Sequence, residues 1–235
     1  MATLIFDIET VGEDFEKMDA ASQDVLTKWI RETTNTDEEY EHQLKILKKR
    51  LGISPYTAEV VAIGILDYER EKGKVYFQAP GGAQEPFEEE NYAYEPMDEA
   101  EMLKKFWQGV ENYETVVTFN GRGFDVPFLM IRSAVHKIRP TVNLMDNRYL
   151  NLQRPPRHID LQDQMTFYGA FYKKGGLHMI TRAFGIESPK EGEVKGEEVG
   201  EAYAQGRFVD IARYNAKDVD ATAKLYGYWE EYLHF

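Results

Sequence analysis

The spacing of apolar residues changes several times along the chain, and each change marks an element. Thr3–Ile8 is β-branched and apolar with no polar relief before Asp7, which predicts a central strand buried on both faces. From Asp14 to Leu51 the chain is polar and helix-prone. There Met18, Val25, Leu26, Trp29 and Ile30, then Tyr40, Leu44, Ile46, Leu47 and Leu51, recur mostly at three- and four-residue intervals. This predicts two amphipathic helices broken near Thr33–Thr36, with Asp37 as the N-cap of the second, ended by Gly52 and Pro55. Glu59–Tyr68 and Lys74–Gln78 read as strands joined by a turn through Glu71–Gly73. Pro80–Pro96 is acidic and rich in Gly and Pro, and is expected to be a mobile loop.

The second half alternates more regularly. Met97–Val110 is an amphipathic helix with Met102, Leu103, Phe106 and Trp107 inward, Thr115–Phe119 a strand, and Phe124–His136 a helix. Arg157–Leu161 is a short fifth strand, followed by helices over Leu177–Phe184, Glu197–Gln205 and Val209–Tyr232. A β-β-β-α-β-α-β-α order predicts an α/β fold, a mixed five-stranded sheet flanked by helices on both faces. No repeat or linker divides the chain, so residues 1–235 are expected to form a single domain with a helical insertion over about 13–52 after the first strand.

Composition narrows the function. Hydrophobic residues make up 43% of the 235, enough for a core, and the absence of cysteine excludes disulfides, thiolate nucleophiles and Cys-ligated zinc. It also fits a reducing compartment, and a cytoplasmic protein is expected. No basic leader precedes the first apolar run and no stretch is long enough to span a membrane. A net charge of −13 argues against coating nucleic acid by charge alone. The charge is uneven, however. From Asn120 to Lys174 there are nine Lys or Arg against four Asp, and from Gly81 to Glu101 eight acids and no base. An acidic protein with one basic face can still hold a polyanion there.

Four acids stand in settings that suggest chemistry. Asp7 and Glu9, two apart on a strand, leave the same face about 7 Å from each other. Buried carboxylates at that separation repel and lose hydration, and a divalent cation would compensate them; two acids turned to water at a strand end is the plainer alternative. Asp125 lies in F-N-G-R-G-F-D-V-P-F-L, where a strand passes through a glycine-rich turn into a helix, so it is either a ligand or the helix cap. Asp218 sits in the last helix one turn after Tyr214 and on its face.

Taken in order, D-I-E-T, N-x4-D with a Phe before the Asp, and Y-x3-D resemble the three motifs of the DEDD 3′–5′ exonuclease superfamily. Tyr214, with Arg213 where other members carry His, places the chain with the tyrosine subclass. R-H-I-D-L, L-H-M-I-T-R-A-F-G-I and I-A-R-Y-N-A-K-D extend the similarity to stand-alone exonucleases related to the proofreading domain of family B DNA polymerases. The helical insertion departs from the polymerase-borne domain. The resemblance implies a ribonuclease H-like fold and two divalent ions, with Asp7 bridging both. Glu9 and Asp218 would complete the site of the attacking water, Asp125 would hold the second ion partly through water, and Tyr214 would orient the water.

An all-oxygen donor set suits Mg²⁺ or Mn²⁺, whereas the five histidines lack zinc spacing. His158, two residues before Asp160, reads as structural. For substrate, Asn120, Phe124 and Leu129 are candidates to touch the terminal nucleotides, and Thr10 to meet the last sugar or base. Lys173 and Lys174 are candidates for phosphate contacts. Tyr149, Phe167, Tyr168, Phe171 and Tyr172, interleaved with Arg148, Arg154 and Arg157, would serve as a stacking platform or as core. The expected activity is release of nucleoside 5′-monophosphates from single-stranded 3′ ends, with DNA favoured over RNA by the resemblance. An exoribonuclease, or an inactive RNase H-like nucleic-acid-binding module, is the alternative. A replication or repair partner is not legible.

Overall fold

The structure, a computed structural model, describes residues 2–82, 84–170, 175–186 and 196–234. Strands β1 (Thr3–Gly12), β2 (Ala58–Asp67), β3 (Lys72–Phe77), β4 (Phe87–Glu89), β5 (Tyr92–Pro96), β6 (Thr115–Thr118) and β7 (Arg157–Asp160) form one sheet in the order β4-β5-β3-β2-β1-β6-β7. Antiparallel pairing joins β1, β2 and β3, while β6 runs parallel to both β1 and β7. The helices are α1 (Ala20–Thr33), α2 (Asp37–Arg50), α3 (Glu99–Val110), α4 (Asp125–Val135), α5 (Leu161–Met165), α6 (Leu177–Ala183), α7 (Val199–Ala204) and α8 (Phe208–Tyr232).

The five expected strands form, and the sheet has seven because Pro80–Pro96 is not a plain loop. Its Tyr92 and Tyr94 are only 3% and 4% exposed, and β5 adds to the edge of β3 while β4 folds back on it. Two physical matches drive this. The Tyr92 ring lies over Gly73 of β3, where any Cβ would stand 2.2 Å from the ring, and Phe87 stacks on Tyr94 at 4.6 Å. Acidic composition masked a period-2 pattern only three residues long.

β1 carries both cores. Leu4, Phe6 and Ile8 face α3 and α4, packing with Met102, Phe106, Trp107 and Phe128. Ile5 and Val11 face α8, packing with Ile211, Ala212, Val219 and Leu225. Alternation on a strand buried on both sides therefore puts Asp7 and Glu9 on the α8 face. Phe6 is fully buried and meets Phe106 edge-on at 4.9 Å, a contact whose loss in Phe6→Ala costs about 3–5 kcal/mol.

The insertion forms the two helices expected of it. Asp19 caps α1 by accepting from Ala21 and Ser22, and Thr36, not Asp37, caps α2 by accepting from the Glu39 N–H at 3.2 Å. The spacing of apolar residues overstated burial here, since α1 buries Thr27 and Ile30 while Val25 and Trp29 are 74% and 45% exposed. Thr10 ties the insertion to β1 by donating to the Gly52 carbonyl at 2.6 Å. Gly12 allows that closeness, because a Cβ there would lie 2.7 Å from that of Leu51. Among the described residues no helix is long and apolar enough to cross a membrane.

Candidate active site

The site forms where β6 stops and β1 continues. Pairing between the two covers Thr3–Ile5 against Thr115–Val117, so the next backbone groups of β1 on that side lack a strand partner. The Ile8 N–H instead donates to Asp125 Oδ1 at 3.1 Å. Asp125 therefore does not cap α4; it is the first residue of the helix, 3% exposed, and faces β1. On the other side of β1 a bulge falls between Glu9 and Thr10, where β2 contributes one extra residue and the strand bends next to the carboxylates.

Helix α8 supplies the opposing face. Tyr214 and Asp218 lie one turn apart on the same face, and the Asp218 carboxylate acts on the Tyr214 hydroxyl through charge. Between them in the chain, Asn215 is fully buried and its Nδ2 donates to Asp7 Oδ2 at 2.8 Å. The amide fits because β2 has Gly64 there; a Cβ on Gly64 would stand 2.4 Å from Asn215 Oδ1. That Oδ1 has no hydrogen-bond partner among the described residues. Sequence reasoning passed over Asn215. Its signal was a neutral amide among the apolar residues of α8, between the two motif residues.

A second residue passed over is Asp160. Its Oδ1 accepts from Asn120 N–H (2.9 Å) and Gln162 N–H (3.0 Å), and its Oδ2 from Arg122 N–H (3.0 Å). It thereby fixes the turn that carries the chain from β6 to Asp125. Asn120 adopts the left-handed conformation in that turn (φ 63°), and its carboxamide lies over Gly123, where a Cβ would come within 2.6 Å of its Oδ1. His158 is structural: buried, its Nδ1–H donates to the Leu144 carbonyl (2.9 Å) and its Nε2 accepts from Thr118 (2.8 Å). Burial pushes its pKa down to about 4, so the ring is neutral.

Electrostatics mark the acids as a unit. Burial first, then Asp125, Asp218 and Glu9, hold Asp7 well above the usual carboxylate range. Glu9 is raised well above its ordinary value by burial and then by Asp218 and Asp125. Asp125 is pushed up to about 7 by burial, against the relief of its own and the Ile8 N–H. The Tyr214 hydroxyl is pushed up by burial and by Asp218, Glu9 and Asp7, and so remains a donor. Asp7, Glu9 and Asp218 each offer a carboxylate oxygen, all within 4.8 Å of one another, and Asp7 and Asp218 keep some exposure. An all-oxygen set that destabilises its own charge fits a hard divalent cation. Asp125 stands outside that group of three but couples to it through charge.

A cavity of about 660 Å³ opens beside these acids, bordered by Glu9, Thr10 and Phe124. Leu129 is not brought to it. It is fully buried in the core beneath α4, because position 129 falls on the helix face turned to the sheet. Lys173, Lys174, Phe171 and Tyr172 lie outside the described residues. Among the aromatics that are described, Tyr149 and Phe167 are 50% and 54% exposed, and Arg148 lies over the Tyr168 ring at 5.9 Å.

Residues 58–232 match a family described as a predicted 3′–5′ exonuclease related to the exonuclease domain of PolB. The matched segment includes Asp125, Tyr214 and Asp218 and starts after β1 and the insertion. No curated protein sequence matches the chain. Among solved structures, the chain is similar to the family B DNA polymerase from the hyperthermophilic archaeon Pyrobaculum calidifontis, at 18% identity and a TM-score of 0.59. That likeness covers 97% of this chain and 24% of the polymerase chain, so the chain spans about a quarter of its length. It shows a shared ribonuclease H-like α/β fold.

Proposed function

The chain belongs to the family of predicted 3′–5′ exonucleases related to the exonuclease domain of PolB, and on that premise we propose that it is a two-metal exonuclease of the tyrosine subclass, shortening single strands from the 3′ end to nucleoside 5′-monophosphates. The observation that carries the reading is the gathering of Asp7, Glu9 and Asp218 within 4.8 Å, with Asp125 coupled to them by charge and Tyr214 one helical turn from Asp218. The polymerase relationship favours DNA over RNA as substrate. The same reading treats residues 1–235 as one exonuclease domain, since all seven strands share one sheet. It also treats the cysteine-free chain as a cytoplasmic protein.

Asp7, Glu9, Asp125 and Asp218 would hold two Mg²⁺ or Mn²⁺ ions, which supply a water of lowered pKa and stabilise the leaving 3′-oxygen. The remaining work falls to the protein. Asn215 fixes the rotamer of Asp7 through Nδ2, and the Ile8 N–H fixes Asp125. The Tyr214 hydroxyl, kept protonated, positions the attacking water at the face of Asp218. Thr10 and Phe124 border the space that receives the terminal nucleoside. Asn120, in the turn before Asp125, is the further candidate to meet the terminal nucleotide.

The test is digestion of 5′-labelled single-stranded DNA, single-stranded RNA and duplex DNA, with Mg²⁺, with Mn²⁺ and with EDTA. Progressive shortening from the 3′ end that stops with chelator is expected. Full activity in EDTA, or cuts inside a circular strand, would overturn the reading. Faster loss of RNA than DNA would move the substrate to the exoribonuclease side, and binding without cleavage under every metal would leave only a binding module.

A further inference from the structure

The insertion is more than a packing element. The C-terminal end of α2 and the turn after it also line the 660 Å³ cavity, through Lys48, Lys49, Gly52 and Ile53. Cavities of this size accept a nucleotide-sized ligand. The lining also takes Glu198 and Glu201 from the region of α7, so its described acids come from β1 and the region of α7 and its described cations from the insertion. Helix α2 is itself polarised, with Asp37, Glu38 and Glu39 in its first turn and Lys48, Lys49 and Arg50 in its last. The helix dipole accounts for cations at that end. It does not account for that end being strapped against β1 by the Thr10–Gly52 bond, at the border of the carboxylate site.

The two lysines differ. Lys48 is engaged, 2.6 Å from Glu16 and with its ammonium 5.2 Å from the Phe15 ring. Lys49 is exposed and has no ion pair among the described residues. Among the described residues that line the cavity, whose charged members are otherwise Glu9, Glu198, Glu201 and the engaged Lys48, Lys49 is the cation without an ion pair.

We propose that Lys49 is a substrate-positioning residue that binds a phosphate group of the nucleic-acid strand in the cavity, making the helical insertion part of the substrate site. The assignment rests on the exonuclease reading above. The phosphate is either a backbone phosphodiester or a 3′-terminal phosphate, and the experiment separates them.

Lys49→Gln, Lys49→Arg and wild type are titrated with 5′-fluorescent single-stranded oligonucleotides ending in 3′-hydroxyl or 3′-phosphate. Anisotropy is read in Ca²⁺ over a salt series, alongside thermal melts. Lys49→Gln is expected to weaken binding about 3- to 10-fold and to flatten the slope of log K against log salt by about 0.7, with Lys49→Arg near wild type and all melts unchanged. A loss with both strands assigns a backbone phosphate, and a loss confined to the 3′-phosphorylated strand assigns the terminal one. Unchanged affinity and slope on both strands would overturn the proposal, as would equal loss in Lys49→Gln and Lys49→Arg. Wild-type protein that neither binds nor shortens any strand would fail the exonuclease reading itself, which is a distinct result.

Discussion

Asp160 sits outside the four acids of the site, yet it decides where one of them stands. The informative perturbation is a pair, Asp160→Ala and Asp160→Asn. At 3% exposure the carboxylate accepts three backbone N–H groups, two on Oδ1 and one on Oδ2. Alanine leaves all three donors without a partner. They are only partly buried, so water recovers some of the loss, and at about 1 kcal/mol each the cost is about 3 kcal/mol. Asparagine keeps one oxygen, hence the Asn120 and Gln162 bonds, and turns an amide NH₂ toward the Arg122 N–H, for a cost of about 1–2 kcal/mol. If Asp160 did no more than cap α5, alanine would cost about 1 kcal/mol and asparagine almost nothing, because it is an equally good cap. The clamp therefore predicts a graded series that the cap does not. Because the clamped turn ends at Asp125, turnover should fall further than stability explains. A displacement of about 1 Å in the turn is worth about 100-fold in rate. Urea unfolding gives the stabilities, calorimetric Mn²⁺ titration the metal affinities, and single-turnover digestion the rates. Wild-type metal affinity and rate in a destabilised Asp160→Ala would refute the argument, as would an Asp160→Asn indistinguishable from wild type in all three.

Other expectations follow from the same geometry. Tyr214→Phe keeps the ring packing and removes one positioning hydrogen bond, so single-turnover rates should fall by roughly 10- to 1000-fold while melting temperature and Mn²⁺ affinity hold; a wild-type rate would make the tyrosine structural. Asp218→Ala should lose turnover and also weaken metal binding sharply in the same titration. Mn²⁺ should raise the melting temperature of wild type by relieving the repulsion among the acids, and Asp7→Asn should lose most of that rise; a metal-independent melting curve would count against the ion site. His158 has its pKa lowered from 6.5 to about 4 by burial, so its contribution to stability is complete above pH 6.5 and drains away as pH falls toward 4. Comparing urea unfolding of wild type and His158→Gln across that window should show their difference shrinking by about 3 kcal/mol, and a constant difference would contradict a neutral buried ring.

Much of the fold was written in periodicities long enough to read. β1, with apolar residues on both faces, and α3, with Met102, Leu103, Phe106 and Trp107 inward, form as their patterns dictate. β4 and β5 were hidden because three- and five-residue strands in an acidic, proline-containing stretch offer too few periods, and their pairing depends on distant partners such as Gly73. In the insertion, spacing placed the helices correctly but not what covers them, so Val25 and Trp29 face outward. Leu129 shows the matching limit at the site. Proximity to a motif in sequence places a residue within a turn or two of the chemistry, and helix phase then decides whether it faces the cavity or the core.

The four acids could be singled out because their order resembles a known family's motifs, and the structure gathers three of them; the groups that position them could not, because each is ordinary alone. Gly64 reads as a glycine in a strand, and Asn215 as one amide in a 25-residue helix. Only pairing of Gly64 with Asp7 across β1 and β2, and the packing of α8 over that pair, explains both. The missing Cβ admits the amide, and the amide fixes Asp7 while leaving Oδ1 buried without a partner among the described residues. An unpartnered buried oxygen costs about 1–3 kcal/mol, a penalty that a hydrophobic residue in its place would avoid. Its retention is understandable if orientation of Asp7 matters more than local stability. Asn215→Leu, however, would drive a larger side chain against Gly64, so Asn215→Ala is the cleaner probe of that trade. It deletes both the Asp7 bond and the unpartnered oxygen, and should lower Mn²⁺ affinity with less loss of stability than a buried truncation of that size ordinarily brings.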